Sequence, residues 1–453
     1  MAVTAIKPAA AHPLNELTAI EIVRAIADGD ATCEAVARAC LERISAREPH
    51  VQAWQYLDPD YVIAQARALD QRSKRGPLHG VPFAIKDIID TCDMPTEYGS
   101  PIHAGHRPKA DAACVALGRR AGGLLMGKTV TTEFANVTPG KTRNPHDPKR
   151  TPGGSSSGSA VAVADHMAAL AIGTQTTGST IRPASFCGVF GYRPTWGDLR
   201  LSRVMEAAGS LDTLGLIARS IEDIALYRDV LLGAAPEPLP PETGAPRIGF
   251  CRTHLWPIIE PSTQRLLEDA AKTLAQRGAK VTEVTLPDEF ERLTDAHRWI
   301  SSFEFARNFT WEIDHHWEQI SERLRNGRLQ DGLSCSFERY REARAFAARC
   351  RRAFADLMGE CDVLLTAAAT GEAPIGLEST GNAAPSTLWT TLHVPCVTVP
   401  AFKGPAGLPV GAQLIARRND DRKLFAAARW VHRQLTSNRV NEPITHASGA
   451  AQS

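Results

Sequence analysis

Residues 151–164 read TPGGSSSGSAVAVA, a tract of glycine and serine that runs into a short apolar segment. Three interpretations of this tract are open. Segments rich in glycine and serine are flexible, so the tract could be a linker. Residues 154–158 also match G-x-S-x-G, the pattern in which a nucleophilic serine, here Ser156, sits on a sharp turn between a strand and a helix. The third interpretation is a catalytic loop in which another serine reacts.

The residues before the tract argue against the sharp turn at Ser156. Residues 144–152 read NPHDPKRTP, with three prolines in nine positions. Because proline cannot donate a backbone hydrogen bond, these residues cannot form the central strand that such a turn requires. None of the downstream histidines lies in a recognisable partner context for Ser156. The sharp turn therefore stays as an alternative only.

The residues after the tract favour a catalytic loop. Residues 156–165 predict a short helix and residues 168–174 a buried strand, which leads into the polar loop GTQTTGST (173–180). The helix would rise about 15 Å. A strand that runs back for about 20 Å would then return Ser179 to the neighbourhood of Ser155. The amides of the loop would lie at a strand end, where a reacting group can be held; an ordinary strand-to-helix turn is the alternative.

A serine nucleophile needs a base, and Lys86 is the candidate. It lies in GVPFAIKDIID (80–90), where apolar residues alternate as in a strand and surround the lysine. Burial disfavours the charged ammonium and can lower its pKa from about 10.4 by several units. A neutral amine of this kind can accept a proton. The alternatives are a lysine that extends to solvent, or one paired with Asp87 or Asp90.

Together these segments resemble the amidase signature family of serine hydrolases. The resemblance covers most of residues 15–435, and its most specific parts are the GGSSSGS run and the 24-residue spacing from Ser155 to Ser179. The segments that carry it are GPLHGVPFAIKD, GKTVTTEFAN, RTPGGSSSGSAVAVA, GTQTTGSTIRPASFCGVFGYRPTWG, SLDTLGLIARSIEDIALYRDVLLG, CDVLLT and GLPVGAQLIARRNDDRKLFAAA.

The resemblance implies a serine mechanism without a metal or an organic cofactor. Ser179 is expected to be the nucleophile, Ser155 the bridging serine held by a cis peptide bond, and Lys86 the base. The expected oxyanion hole consists of backbone N–H groups, those of Thr176, Thr177, Gly178 and Ser179.

One residue departs from the loop of the family, which usually reads T-G-G-S. Thr177 stands where a glycine is expected, so a backbone conformation with positive φ would be costly there. This departure raises a question about the shape of the oxyanion hole or the width of the pocket. Arg182 matches the loop of the family, and we interpret it either as part of a structural ion pair or as a ligand for a substrate carboxylate.

The implied fold is α/β, a single large domain with a central twisted mixed β-sheet flanked by helices on both faces. We expect it to cover residues 15–437, between an N-terminal arm (residues 1–14) and a disordered tail (residues 438–453). Alternating strand and helix patterns also argue for an α/β fold. The proline-rich residues 235–246 could be a domain linker or a surface connection. Further helices are predicted near residues 18–29, 33–47, 111–121, 215–232, 262–278 and 421–435, and further strands at 123–129, 247–251, 280–286, 362–366, 394–401 and 409–416.

The composition is close to that of an average soluble globular protein. The chain has 453 residues, is 43% hydrophobic and 22% charged, and carries a net charge of +1, which gives no reason to expect nucleic acid or a membrane as a partner. The ten cysteines contain no C-x-x-C pair, so a zinc site or a disulfide framework is not expected. The N-terminus lacks the apolar core of a signal peptide, and a cytoplasmic location is expected. A homodimer is compatible with the sequence.

A second motif suggests nucleotide binding but lacks the right context. Gly122 begins a match to G-x-x-x-x-G-K-[ST], which ends at Lys128 and Thr129. A phosphate-binding loop needs a strand before the first glycine and exposed amides after it. Here a helical pattern comes first, and the residues between the glycines are apolar. Nucleotide binding is therefore a remote alternative.

The implied activity is hydrolysis of the C–N bond of a small, partly apolar amide, extending to aryl carbamates (urethanes) and esters. The segment WISSFEFARNFTW (299–311) offers Trp299 and Phe303 as candidate substrate-binding residues for an apolar group. Helical core packing is the alternative for these rings. The second candidate function is the glutamine-hydrolysing subunit of a tRNA-dependent amidotransferase, which would work with a partner subunit.

Overall fold

The structure, a computed structural model, describes residues 12–242 and 244–437. The predicted tail (residues 438–453) and most of the predicted arm (residues 1–14) lie outside these residues. The described strands all belong to one sheet, so the prediction of a single α/β domain is confirmed. The proline-rich residues 235–246 are a connection within the domain, because strands before and after them lie in this same sheet.

The sheet has eleven strands in the order β1-β3-β2-β4-β6-β5-β10-β11-β9-β7-β8. Parallel pairing joins β2 to β3 and β4, and β7 to β8 and β9, whereas the other neighbours are antiparallel. The sheet is therefore mixed, as predicted. The strands are β1 (Trp54–Leu57), β2 (Pro82–Lys86), β3 (Leu124–Thr129), β4 (Leu170–Gln175), β5 (Phe190–Arg193), β6 (Thr213–Ala218), β7 (Arg247–Phe250), β8 (Lys280–Glu283), β9 (Val363–Ala367), β10 (Cys396–Lys403) and β11 (Pro409–Ile415).

Helices cover the sheet. The α-helices are α1 (Ala19–Asp28), α2 (Cys33–Val51), α3 (Pro59–Asp70), α4 (Ala113–Arg120), α5 (Ser157–Ala164), α6 (Ile181–Cys187), α7 (Ile221–Leu232), α8 (Pro261–Gln276), α9 (Leu293–Asn308), α10 (Thr310–His316), α11 (Glu322–Leu324), α12 (Gln330–Ser334), α13 (Phe337–Leu357), α14 (Ala384–Thr391) and α15 (Asp421–Thr436). A π-helical turn, Arg325–Leu329, joins α11 to α12, and short 3-10 helices are found at Leu14–Glu16, Pro101–His103, Glu133–Ala135, Trp256–Ile258, Asp288–Arg292 and Trp317–Gln319.

The middle of the sheet is buried on both faces. Every residue of β2, β3, β4 and β6 is buried, although successive side chains of a strand point to opposite faces. The edge strand β8, in contrast, is largely exposed. None of the helices in the described ranges is long and apolar enough to cross a membrane. Nine of the ten cysteines are buried, Cys92 is exposed, and all ten are free thiols.

Most predicted elements are found near their predicted positions. Helix α1 begins with the predicted capping box, in which Thr18 and Glu21 satisfy each other's backbone N–H groups, and it ends at Gly29 with φ 85°. The helix predicted over residues 215–232 is wrong in its first part. Residues 213–218 form β6, which pairs with β4 on one edge and β5 on the other. Pairing on both edges outweighs the local periodicity of this short segment.

Three strands meet where the polar loops begin. Strands β2 and β4 are parallel, with Ile85 opposite Ile172, so Lys86 at the end of β2 reaches the level of the last residues of β4. Strand β6 is antiparallel to β4 and begins opposite its end, with Thr213 paired to Gln175. The residues that follow β2 and β4 and precede β6 therefore lie together at one edge of the sheet, the edge formed by the carboxyl ends of β2 and β4.

Candidate active site

Lys86 has a fully buried side chain at this edge. Its Nζ lies 2.6 Å from Ser155 Oγ and 2.8 Å from Thr174 Oγ1. In the described part of the chain Lys86 makes no ion pair with a carboxylate, and Asp87 instead faces Lys128 at 3.4 Å. Desolvation lowers the pKa of Lys86 to about 7, against the Asp212 carboxylate, which raises it. An amine with this pKa is substantially neutral at pH 7 and can act as a base.

The Gly/Ser tract lies beside the loop that follows β4. The Gly154–Ser155 peptide bond is cis, which is the form that the family resemblance implies. The Ser156 N–H donates to the Ser179 carbonyl at 3.3 Å, so the two serine loops are adjacent, as the chain geometry predicts. The Ser156 hydroxyl accepts the Thr174 N–H at 3.2 Å and donates to the Thr174 carbonyl at 3.3 Å. Since both of these bonds tie Ser156 to β4, the sharp-turn interpretation of this serine has no support in the geometry.

The loop from Thr176 to Ser179 presents unused donors. Within residues 12–242 and 244–437, the backbone N–H groups of Thr177, Gly178 and Ser179 donate to no protein acceptor. The backbone of Thr177 does not have a positive φ, so its side chain causes no backbone strain there. The threonine at position 177 is thus accommodated, and the loop leaves these N–H groups without a protein acceptor among the described residues.

Asp212 anchors this loop and is a residue that the sequence reasoning did not single out. It precedes β6, and its Oδ1 accepts the Thr176 hydroxyl at 2.5 Å. Its Oδ2 accepts the N–H groups of Ala207 and Ala208, both at 2.8 Å. Burial raises the pKa of the Asp212 carboxyl to about 6. The signal was present in the quoted segment SLDTLG, which contains Asp212, and Thr174 was likewise within GTQTTGST.

His297, on α9, also contacts the loop and was missed. Its Nε2 lies 2.8 Å from the Thr176 carbonyl oxygen and 3.3 Å from Thr177 Oγ1. Burial lowers the pKa of His297 to about 4, so the ring is neutral at pH 7. No motif surrounds this histidine in the sequence, so only the packing of α9 against the loop identifies it.

Arg182 lies beside the Gly/Ser tract with a buried side chain. Its Nη2 donates to the Gly154 carbonyl at 2.6 Å and to Thr380 Oγ1 at 3.0 Å. These contacts give the guanidinium a structural use at the tract. The two sequence interpretations were an ion pair and a substrate carboxylate, and among the described residues Arg182 has no carboxylate partner.

The structure does not bring Trp299 and Phe303 to the serines. On an α-helix of 100° per residue, both rings lie on the side of α9 opposite His297. Trp299 lies under the Arg339 guanidinium at 3.8 Å, and Phe303 stacks on Tyr340 at 4.2 Å between ring centroids. Both rings thus pack against α13, which is the alternative considered for them.

Other rings of the same segment do lie near the catalytic loops. Phe305 and Phe309 share a buried apolar cluster with Phe134 and Ala207. The backbone N–H of Ala207 donates to Asp212, so this cluster borders the anchored end of the loop. These rings are almost fully buried, so they pack the core here and present no open surface.

Lys128 is not part of a phosphate-binding loop. It lies in the buried strand β3, and its Nζ donates to the Ile89 carbonyl at 2.7 Å and to Thr96 Oγ1 at 2.5 Å. A phosphate loop would instead present its amides and its lysine to a ligand. The remote nucleotide-binding alternative is therefore wrong for this motif.

The chain is similar in sequence and in structure to amidases and to an amidotransferase subunit. A family model described as Amidase matches residues 35–425. A glutamyl-tRNA(Gln) amidotransferase subunit of Chloroflexus aggregans is 34% identical over 466 aligned positions, which cover 91% of this chain and 95% of that protein. A solved structure described as an amidase is 30% identical, with a TM-score of 0.84 and coverage of 92% of this chain and all of its own. The peptide amidase of Stenotrophomonas maltophilia is 28% identical, with a TM-score of 0.81 and coverage of 93% and 98%.

Proposed function

The chain belongs to the amidase signature family, and on that basis we propose that it hydrolyses the C–N bond of a small, partly apolar amide through an acyl-enzyme on Ser179. One observation carries this proposal. The fully buried Lys86 amine, with its pKa lowered to about 7, lies 2.6 Å from Ser155 Oγ, and the Ser155 tract is bonded to Ser179 through the neighbouring Ser156.

The proposed reaction passes two protons along the relay as one bond forms, and returns them as another bond breaks. Neutral Lys86 takes the proton of Ser155, which takes the proton of Ser179 as the Ser179 oxygen bonds to the substrate carbonyl carbon. The free N–H groups of the loop stabilise the resulting oxyanion; loss of one such donor typically lowers kcat about 10²–10³-fold. The proton returns through Ser155 to the leaving nitrogen as the C–N bond breaks. Water, activated by the same relay, then releases the acid.

The family match supports an amide as the substrate class. Phe134, Phe305 and Phe309 are buried core residues, so they are not counted as substrate contacts. Aryl carbamates and esters pass through a similar tetrahedral intermediate, so we include both in the proposed range. A cytoplasmic location is part of the proposal.

A second candidate is favoured by the relatives. The amidotransferase subunit of Chloroflexus aggregans aligns over 91% of this chain, so glutamine as the amide and a partner subunit form the alternative proposal. The chemistry at Ser179 would be the same. Glutaminase activity and co-purification of a partner subunit would favour this candidate, whereas activity of the isolated chain on apolar amides without glutaminase activity would favour the first.

The test of the serine chemistry needs no knowledge of the substrate. A fluorophosphonate should form an adduct on Ser179, located by peptide mass spectrometry, and the adduct should be lost in Ser179→Ala and in Lys86→Ala. A matched control is Ser157→Ala, a serine of the same tract whose Oγ donates to the Gly153 carbonyl at 3.0 Å; this variant should still be labelled. An adduct on Ser156, or full amidase activity of a folded Ser179→Ala variant, would refute the proposal.

A further inference from the structure

Each carbonyl group of the Thr176–Ser179 loop accepts a hydrogen bond from a residue outside the loop. A trans peptide group points its C=O and the following N–H in opposite directions. A bond to one carbonyl therefore fixes the direction of the next N–H along the chain. The side-chain donors are His297 Nε2 to the Thr176 carbonyl (2.8 Å) and Thr390 Oγ1 to the Thr177 carbonyl (2.7 Å). The backbone donors are the Arg182 amide N–H to the Gly178 carbonyl (3.0 Å) and the Ser156 amide N–H to the Ser179 carbonyl (3.3 Å).

His297 is the donor that governs the Thr177 N–H. The Thr176 carbonyl can only accept, so the His297 Nε2 at 2.8 Å must carry the hydrogen. The same N–H also faces Thr177 Oγ1 at 3.3 Å, so the hydrogen bond is bifurcated. With the Thr176 carbonyl turned toward α9, the Thr177 N–H is directed away from α9, and it is one of the donors that have no protein acceptor among the described residues.

We propose that His297 is a positioning residue for the oxyanion-binding loop, acting through the Thr176 carbonyl and the Thr177 hydroxyl. This inference rests on the proposed function, because it assigns a purpose to the free N–H groups. It also accounts for the threonine at position 177. A glycine there would leave His297 only the carbonyl, whereas Thr177 gives the ring a second acceptor on the same loop.

The surroundings keep this contact constant with pH. Burial is the main cause that lowers the pKa of His297 to about 4, and the Arg328 and Arg193 guanidiniums act in the same direction. The ring therefore stays neutral over the range in which Lys86 titrates, so it adds no charge to the site. His297 can orient the loop without changing the charge on the proton relay.

The test compares side chains that keep or remove the donor. His297→Leu removes it, and we expect the rate of fluorophosphonate labelling of Ser179, and kcat on any amide cleaved, to fall about 10–100-fold with little change in KM. In His297→Gln the amide nitrogen reaches about as far as Nε2, so the rate should stay within a few-fold of the wild type. His297→Asn is too short and should behave as His297→Leu does. Thr177→Val keeps the shape but loses the hydroxyl, and a two- to five-fold fall is expected.

The control is His254→Leu. His254 bonds Thr294 Oγ1 at 3.3 Å near the start of α9 and touches no catalytic loop, so this variant should react at the wild-type rate. Should His297→Leu not fold, the Gln and Asn variants decide, with melting temperature as the measure of folding. Equal losses in the Gln and Asn variants, or an unchanged rate in folded His297→Leu, would overturn the inference. If Ser179→Ala keeps its activity, the proposed function fails instead, and the two failures are thus distinguishable.

Discussion

The pKa of Lys86 is set by two opposing surroundings. Desolvation favours the neutral amine, while the Asp212 carboxylate favours the ammonium, and the outcome is a pKa of about 7. The proposed base is therefore placed where a small electrostatic change alters its charge. Asp212 also holds the loop through Thr176, so one carboxylate acts on both the proposed base and the proposed oxyanion hole.

The rate of acylation should follow the titration of Lys86. Below about pH 7 the ammonium form predominates and cannot act as a base, so the fluorophosphonate labelling rate should fall about tenfold per pH unit. Above about pH 8 it should be constant. A profile of labelling rates from pH 5.5 to 9 measures this directly, and a rate that is flat from pH 5.5 to 7 would contradict the assignment of Lys86.

Removing the Asp212 charge should move this profile. In Asp212→Asn the amine loses the charge that favours its protonation, and the midpoint should move to lower pH by about half a unit. The matched control is Asp223→Asn. Asp223 is also a buried carboxylate that accepts two backbone N–H groups, those of Ala19 and Ile20, and it does not contribute to the pKa of Lys86. Its midpoint should stay where the wild-type midpoint lies.

At the scale of the elements, α5 carries the serine tract into direct contact with strand backbone. A Cβ on Gly158 would collide with the Ala53 carbonyl oxygen and lie 2.5 Å from the Val130 nitrogen. Only glycine allows α5 to approach this closely to Ala53, just before β1, and Val130, just after β3. The position of the first serine loop thus depends on a residue that takes no part in the chemistry.

Gly158→Ala should destabilise the fold. Backbone groups cannot move aside as a flexible side chain can, so the free energy of unfolding should fall by about 3 kcal/mol. Urea unfolding of the variant measures this loss. Gly244→Ala is the control, since a Cβ there would meet no atom within 4 Å. Equal stability of the two variants would show that α5 does not depend on this close approach.

The sequence predicted the elements that have strong local patterns and missed those decided by distant partners. The capping box of Thr18 and Glu21 predicts the start of α1, and the alternation of apolar residues before Lys86 predicts β2. Strands β1 and β5 were not predicted and are fixed by pairing with distant segments, β1 with β3 and β5 with β6 and β10, and β6 is fixed by its two neighbours. In the same way the serines and the lysine could be found from motifs, whereas His297 reaches the loop only through the packing of α9.

At the scale of the whole molecule, the sheet is completed by strands from near the end of the chain. Strands β10 and β11 are inserted between β5 and β9, so residues 396–415 pair with strands from two other regions of the sequence. Long-range pairing of this kind makes folding slow, because loop-closure entropy is lost before the contacts form. It also carries α14, just before β10, to the Thr176–Ser179 loop, where the Thr390 hydroxyl donates to the Thr177 carbonyl.

Buried histidines should make the whole fold sensitive to acid. His393 stacks on Trp196 and bonds the Ser210 carbonyl at 2.8 Å, and burial lowers its pKa to about 2. The unfolded chain binds a proton there near pH 6.5, so stability is lost as the pH falls below that value, by about 2 kcal/mol at pH 5. In His393→Gln the difference in unfolding free energy between pH 7 and pH 5 should shrink by this amount in urea titrations.

The comparison isolates one histidine because the other titrating groups are common to both proteins. The buried Asp212 and Asp223 carboxyls, with pKa values raised to about 6, act in the opposite direction, since they are less stabilising as the pH rises. A pH dependence in His393→Gln that matches the wild type would contradict the burial penalty.

The distribution of thiols offers a practical handle. Nine cysteines are buried and Cys92 alone is exposed, so a maleimide dye should couple to the folded wild-type chain at a single position. Partial desolvation raises the pKa of the Cys92 thiol, which favours coupling at mildly alkaline pH. Intact mass spectrometry would count one dye per molecule. The native sequence can therefore be tethered to a surface or tracked by fluorescence without engineering out the other sulfur atoms.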